Sequence, residues 1–244
     1  MTLASTAGFL ALYALLFQTV AYLALPRRFR TTWLPVVTGV GGSALTLLLL
    51  QVFHPNILGF AAPNATAVTM WGSGAIAMSG AIGGVMIVRP ATRRFLADPR
   101  VARLSRTALA GQILFRIPVL TALIEEAVFR GALFAALNAV YSPGVALVVS
   151  ASLFGIWHVA PGFSQARANG FIGPQGAVHV LTTVMAMTAA GLFLGWLRME
   201  TGSIWAPFTV HASVNMTLAV LARVASTPRR SAVDDGVPLL TPTT

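Results

Sequence analysis

The chain has 244 residues, of which 56% are hydrophobic and 9% charged, and it carries a formal net charge of +10. Soluble domains have about 25% charged residues, so this composition excludes a water-soluble globular protein. The absence of cysteine excludes a disulfide framework and a thiolate nucleophile or metal site. The basic residues cluster beside apolar segments, so we attribute them to membrane orientation and expect no nucleic-acid partner.

Seven apolar segments have about the 20 residues that a helix needs to cross the hydrocarbon of a bilayer. We therefore predict an all-α, polytopic transmembrane helix bundle with about seven spans. The first segment lacks a basic leader, so we expect a retained span and not a cleaved signal peptide. The predicted spans are residues 6–25, 33–53, 67–88, 109–138, 143–160, 176–197 and 204–224.

Arginines occur in alternate connections between the predicted spans. The positive-inside rule places these connections in the cytoplasm, with the N-terminus outside and the C-terminus inside. Arg198 is the exception, because its short connection should face outward. Every basic residue is an arginine, and this bias favours a prokaryotic plasma membrane whose lipids are partners of the chain. The clustered residues are Arg27, Arg28, Arg30, Arg89, Arg93, Arg94, Arg100, Arg103, Arg106, Arg229 and Arg230.

The segment between the third and fourth spans is too polar to cross a membrane. Its pattern predicts one short amphipathic surface helix, with arginines opposite an apolar face. The tail, rich in Pro, Ser and Thr, is predicted to be disordered. This divides the chain into N-terminal spans with the basic segment (1–106), a four-span core (107–225) and the tail (226–244). The apolar face comprises Phe95, Leu96, Val101 and Leu104.

Glu125 and Glu126 lie inside the fourth predicted span, although the chain has only six acidic residues. A charged side chain at mid-membrane costs roughly 2.5–3.5 kcal/mol on insertion scales, which makes this pair a functional-site hypothesis. Positions i and i+4 share a helix face, so Glu126 can pair with Arg130. Glu125 is then rotated by about 100° and left for another partner. The pair predicts general acid–base chemistry, and a purely structural charge cluster is the alternative.

Two further polar faces lie on later spans. Phe154 and His158 are four residues apart in the fifth span, and His211 and Asn215 have the same spacing in the seventh. Unsatisfied polar groups in lipid each cost several kcal/mol, so these faces should converge with the glutamates. The two other histidines, His54 and His179, have no polar neighbour at this spacing, and we leave them outside the core site.

These three motifs, in this order, resemble those of the CPBP intramembrane protease family, which includes the type II CAAX prenyl endopeptidases and the bacterial Abi proteins. The strings around Phe129-Arg130-Gly131 and Gly202-Ser-Ile-Trp-Ala-Pro207 are similar to the family's flanking residues. The resemblance covers about residues 117–218. It implies an intramembrane endopeptidase whose site opens to the cytoplasmic side and acts on a membrane-associated peptide or protein, as in the processing of CAAX-box proteins.

The resemblance also implies roles for individual residues. Glu125 and His158 would activate a water molecule, and His211 with Asn215 would stabilise the oxyanion, with Glu126, Arg130 and Phe154 in support. The family is classified with metalloendopeptidases, and Glu125, His158 and His211 are the ligands that a catalytic zinc would use. The chain has no His-Glu-x-x-His helix, so we favour the metal-free reaction and assign no firm cofactor.

Two other classes of protein can carry such residues. A proton-coupled transporter also holds ionisable groups at mid-membrane, but it more often shows inverted repeats and broken helices, which this sequence lacks. A non-catalytic immunity or scaffold protein would be expected to lose a catalytic group, and none is missing here. Cleavage of a membrane-associated peptide distinguishes the protease from both.

Overall fold

The computed structural model of the chain describes residues 3–26 and 30–227, and the regular structure of these residues is entirely helical. The predicted disordered tail lies, from residue 228 onward, outside the described residues, as do Arg27, Arg28, Arg229 and Arg230. The helices are α1 (Leu3–Ala24), α2 (Arg30–Val52), α3 (Ala65–Val88), α4 (Pro90–Leu96), α5 (Pro99–Ala102), α6 (Arg106–Asn138), α7 (Pro143–Trp157), α8 (Val159–Ala168), α9 (Gly173–Thr201) and α10 (Trp205–Ser226).

Five helical segments among the described residues are long and apolar enough to cross a membrane. Helices α1 and α2, of 22 and 23 residues, lie at the first two predicted positions. The all-helical membrane architecture is therefore confirmed, and the number of seven spans stays a prediction. The five segments are Ala65–Val88, Arg106–Asn138, Pro143–Ala168, Gly173–Thr201 and Trp205–Ser226.

The predicted single surface helix is wrong in one respect, because the segment forms two short helices, α4 and α5. Pro99 disfavours helical backbone at the residue before it, and Asp98 adopts an extended conformation and caps α5 by accepting from the Arg100 backbone N–H. Burial would raise the pKa of Asp98, but hydrogen bonds and charge from Arg100 outweigh it and lower the pKa. Val101 is buried as predicted, whereas Phe95 is 64% exposed.

Arginines connect this basic segment to the C-terminal end of α10. Arg93 donates to the last carbonyl groups of α10, including Ala225 O at 3.0 Å, and such contacts suit the negative end of a helix. In return, Arg223 of α10 donates to the carbonyl oxygens of α5 and the residues after it. These bonds fix α4 and α5 against the bundle.

Small residues allow the helices of the bundle to approach closely, as is common in membranes. Helix α7 packs on α9, where a Cβ at Gly155 would collide with Thr188 and one at Gly191 would lie 3.0 Å from the Ala151 Cα. Helix α10 packs on α3 in the same way, because Gly72 faces Thr209. This packing holds α9 and α10 next to α6, the helix that carries the two glutamates.

Helix α6 is wound as a π-helix over Gln112–Leu123 and Ala127–Leu133, on either side of the glutamates. Pro118 lies in the first stretch and lacks the N–H that an α-helix would use there. The first stretch leaves Leu114 and Phe115 exposed on the outside of the bundle. The second stretch is buried throughout, so α6 passes from the surface into the centre of the bundle as it reaches the glutamates. Widened helical turns of this kind are frequent at functional sites.

Arg198, the exception to the charge pattern, is buried near the end of α9. Its guanidinium donates to the carbonyl oxygens of Arg130 and Ile57 at 3.3 and 3.4 Å. Gly59 has a φ of +81° and lies against the same guanidinium, where a Cβ would come within 2.6 Å of Nε. Arg198 therefore joins the connection between α2 and α3 to α6, and its charge does not face the outer solution as a loop charge would.

Candidate active site

Helix α6 presents Glu126 and Arg130 to the interior of the bundle. The Arg130 Nη1 lies 3.0 Å from Glu126 Oε1, and both side chains are almost completely buried. Arg130 also donates to Gly191 O at 3.4 Å and lies 4.2 Å above the Phe154 ring, a favourable cation–π arrangement. The guanidinium thus connects α6 with α7 and α9.

His211 of α10 contacts both glutamates. Its Nδ1 donates to Glu126 Oε1 at 2.8 Å, and its Nε2 lies 3.8 Å from Glu125 Oε2. Glu126 Oε1 is therefore shared between Arg130 and His211. This contact turns Nε2 of His211 toward Glu125, an orientation that the sequence did not predict.

Glu125 faces a different neighbour from Glu126, as the 100° rotation between successive helical positions requires. The indole N–H of Trp157 donates to Glu125 Oε1 at 3.4 Å. Glu125 Oε2 is buried and has no hydrogen-bond partner. Sequence reasoning missed Trp157, although an indole N–H inside a membrane span needs an acceptor and this residue directly precedes His158.

His158 lies at the junction of α7 and α8. Its Nδ1 is 2.8 Å from the carbonyl oxygen of Phe154, and because a carbonyl only accepts, Nδ1 carries the proton. Nε2 is then left with a lone pair, as a base requires. The ring packs against Phe154 at 4.7 Å and lies within electrostatic range of Glu125 and His211.

Asn215 is one turn beyond His211 on α10 and is partly exposed. Its carboxamide forms no hydrogen bond with the residues that the structure describes. The structure thus brings six of the predicted residues into one connected cluster: Glu125, Glu126, Arg130, Phe154, His158 and His211. Asn215 is connected to this cluster only because it lies on α10, the helix that carries His211. His54 lies outside this cluster, with its ring bonded to the Asn56 N–H.

The same side chains include the candidate ligands of a metal site. Over residues 3–26 and 30–227, no group of three or more His, Cys, Asp or Glu side chains could hold a metal ion. The Nδ1 bonds of His158 and His211 to protein oxygens do not by themselves exclude a metal, because a metal-ligating histidine binds through its other ring nitrogen. Whether Glu125, His158 and His211 bind a metal therefore stays a prediction.

The comparison with known proteins agrees with this cluster. Residues 107–217 match the family model described as type II CAAX prenyl endopeptidase Rce1-like. The matched segment contains all three motifs and the whole cluster, and it begins at the start of α6. No curated protein and no solved structure matches the chain.

Proposed function

Because residues 107–217 belong to the Rce1-like family of type II CAAX prenyl endopeptidases, we propose that the protein is an intramembrane endopeptidase that cleaves a membrane-associated substrate. The family implies a protease and therefore a hydrolase. The observation that carries the proposal is the environment of Glu125, whose Oε1 accepts from Trp157 while its buried Oε2 has no hydrogen-bond partner. A carboxylate held at one oxygen and unpartnered at the other is suited to take a proton from water.

The proposed reaction begins with a water molecule between Glu125 Oε2 and His158 Nε2. The bond from His158 Nδ1 to the Phe154 carbonyl favours the tautomer in which Nε2 accepts. Glu125 takes one proton from the water, and the oxygen attacks the carbonyl carbon of the scissile peptide bond. His158 orients the water through its second proton. Holding the water next to the carbonyl carbon lowers the activation barrier, because the two reactants no longer have to meet by diffusion in the correct orientation.

Attack leaves a negative charge on the former carbonyl oxygen. His211 and Asn215 are the proposed donors to this oxyanion, in agreement with the roles that the resemblance implies. The donor role proposed for His211 requires a proton on each ring nitrogen. Nδ1–H then donates to Glu126, and Nε2–H is directed toward the reacting carbonyl. Preorganised donors of this kind are each worth about 2.7–4 kcal/mol of barrier.

The tetrahedral intermediate then breaks its carbon–nitrogen bond. Glu125 returns the proton that it took from water to the leaving amine, which departs as the new N-terminus. The acyl part leaves as a carboxylic acid, so one water is consumed for each bond cleaved. Glu125 is regenerated as a carboxylate, and the cycle uses only side chains of the chain itself.

The site constrains the substrate. A peptide in a helix hides its carbonyl groups in backbone hydrogen bonds, so the substrate must be extended where it is cut. The cluster lies among membrane-spanning helices, and the arginine-rich segment α4–α5 marks the proposed cytoplasmic side. We therefore propose a peptide that is lipid-anchored or otherwise membrane-tethered and is cut near its end on that side.

Asn215→Ala is expected to lower kcat by roughly 10²–10³-fold with little change in KM, because an oxyanion donor acts chiefly in the transition state. The measurement is steady-state cleavage by the purified protein. Asn56→Ala, which changes an exposed asparagine between α2 and α3, is the matched control and should retain wild-type kcat. A rise in KM alone for Asn215→Ala would instead assign this side chain to ground-state substrate binding.

A lipid-anchored peptide in liposomes is expected to be cleaved with a kcat/KM roughly 100-fold above that of the same peptide without the anchor, at the low end of the gain from tethering. Equal rates for the two peptides would contradict tethering, and no cleavage of either would contradict the protease. A parallel assay after stringent removal of metal ions is expected to retain activity. Loss of activity that added zinc restores would contradict the metal-free mechanism.

A further inference from the structure

A cavity of about 810 Å³ lies at the arginine-rich end of the bundle, between α4 and the turn that joins α8 to α9. Its volume falls within the roughly 300–1,000 Å³ of small-molecule sites. It is lined by both polar and apolar side chains, and none of the lining residues is acidic. The residues that matter for its chemistry are Arg94, Phe95, Gln165, Asn169, Phe171 and His179.

Arg94 supplies the positive charge of this cavity. Of the neighbouring arginines, Arg93 is bonded to the carbonyl groups at the end of α10 and Arg100 to Asp98. Arg94 has no acidic partner among the described residues, and its guanidinium lies 5.0 Å from the centre of the Phe95 ring. Its charge is therefore available to a bound anion, with the Phe95 ring as an apolar surface beside it.

His179 provides an independent sign of a ligand. Its Nε2 is buried and has no hydrogen-bond partner, while its ring lies 5.5 Å from that of Phe171. A buried polar atom without a partner is costly, and in native proteins it calls for an explanation. The carboxamides of Gln165 and Asn169 line the same space, and together these groups can donate hydrogen bonds to an anion with several oxygens.

We propose that this cavity binds the phosphate headgroup of an anionic phospholipid, with the acyl chains directed over its apolar residues. Arg94 and His179 would contact the phosphate, and Gln165 and Asn169 the polar remainder of the headgroup. Phe95 and Val178, which are 64% and 60% exposed, offer apolar surface continuous with the outside of the bundle. An amphiphile matches this lining better than a free anion, because four of the ten lining residues have side chains that cannot bond to a phosphate: Phe95, Phe171, Pro174 and Val178.

The test is titration of the purified full-length protein in mild detergent with phosphatidylglycerol or phosphatidylcholine of identical chains, followed by native mass spectrometry. We expect saturable binding of one phosphatidylglycerol and weaker binding of phosphatidylcholine. Arg94→Gln should weaken phosphatidylglycerol binding roughly fivefold, the change expected from about 1 kcal/mol per basic side chain. Arg103→Gln removes the same charge from an exposed residue that does not line the cavity, and it should leave the affinity unchanged.

His179→Phe is the second variant, because it keeps a ring against Phe171 and removes Nε2. It should also weaken phosphatidylglycerol binding without lowering the melting temperature. Equal losses for Arg94→Gln and Arg103→Gln would show diffuse attraction and overturn the site. Displacement of the lipid by glycerol 1-phosphate at equal concentration would assign the cavity to free phosphates. A raised KM for a peptide with a free C-terminal carboxylate, with lipid binding unchanged, would assign it to the substrate.

Discussion

Glu125→Gln is expected to lower kcat/KM for a membrane-anchored peptide by roughly 10³-fold or more, within the range that proton transfer by a positioned base contributes. Glutamine keeps the size of the side chain, and its carbonyl oxygen can still accept from Trp157. It cannot take a proton from water, so the loss falls on the chemical step. The folded protein should be unchanged, as judged by the melting temperature in detergent.

The matched control for this variant is Glu200→Gln, which makes the same change at an exposed residue in the last turn of α9. It should cleave at the wild-type rate. A Glu125→Gln protein that inserts, folds and cleaves at close to the wild-type rate would remove Glu125 from the reaction. The proposed base would then have to be sought among the histidines of the cluster.

Arg130→Met is expected to lower the stability of the folded protein by about 3–5 kcal/mol, because it leaves the Glu126 carboxylate buried without its cationic partner. Methionine keeps much of the apolar volume against Phe154, so the loss reports mainly the charge. At about 2–4 °C per kcal/mol for a chain of this size, the melting temperature should fall by roughly 10 °C. The measurement is thermal unfolding in detergent, together with the yield of inserted protein.

A double variant isolates the electrostatic part of this effect. Glu126→Gln/Arg130→Met removes both charges and keeps an oxygen that accepts from His211, so it should be more stable than Arg130→Met alone. Arg103→Met, at an exposed arginine of the basic segment, should have little effect. A fully stable Arg130→Met protein would show that the guanidinium does not hold Glu126. Arg130 would then be better interpreted as a binder of a substrate carboxylate.

The helices were predictable because the hydrocarbon sets their length and composition. Six of the seven predicted segments each coincide with one helix of the structure to within a few residues, and the fifth, 143–160, crosses from α7 into α8. The π-helical winding of α6 was not predictable, because the hydrophobic pattern reports which segments are buried and not how each turn is wound. The division of the surface segment at Asp98 was missed although Pro99 signals it, since the apolar spacing favoured a continuous helix.

At the site, spacing predicted contacts within a helix but not between helices. The Glu126–Arg130 pair follows from positions four residues apart, and the structure contains it. The bond from His211 to Glu126 joins residues 85 positions apart, and it depends on how α10 packs beside α6. The same limit explains Arg198, whose acceptors are backbone oxygens of α6 and of the connection before α3. Because every residue has a backbone carbonyl group, the sequence does not indicate which carbonyl oxygens will accept from an arginine.

The junction at His158 has a consequence for how an extended peptide gains access. Buried polar contacts of Glu126 and Arg130 tie α6 to α10 and α9, and glycine contacts tie α7 to α9. Helix α8 begins immediately after His158, whose φ of −87° and ψ of 4° interrupt the regular α-helix. If α8 moved outward to admit a substrate, the chain would turn at His158, the residue proposed to orient the attacking water. The imidazole of His158 is bonded to the Phe154 carbonyl of α7, and a movement of α8 alone would leave that bond in place.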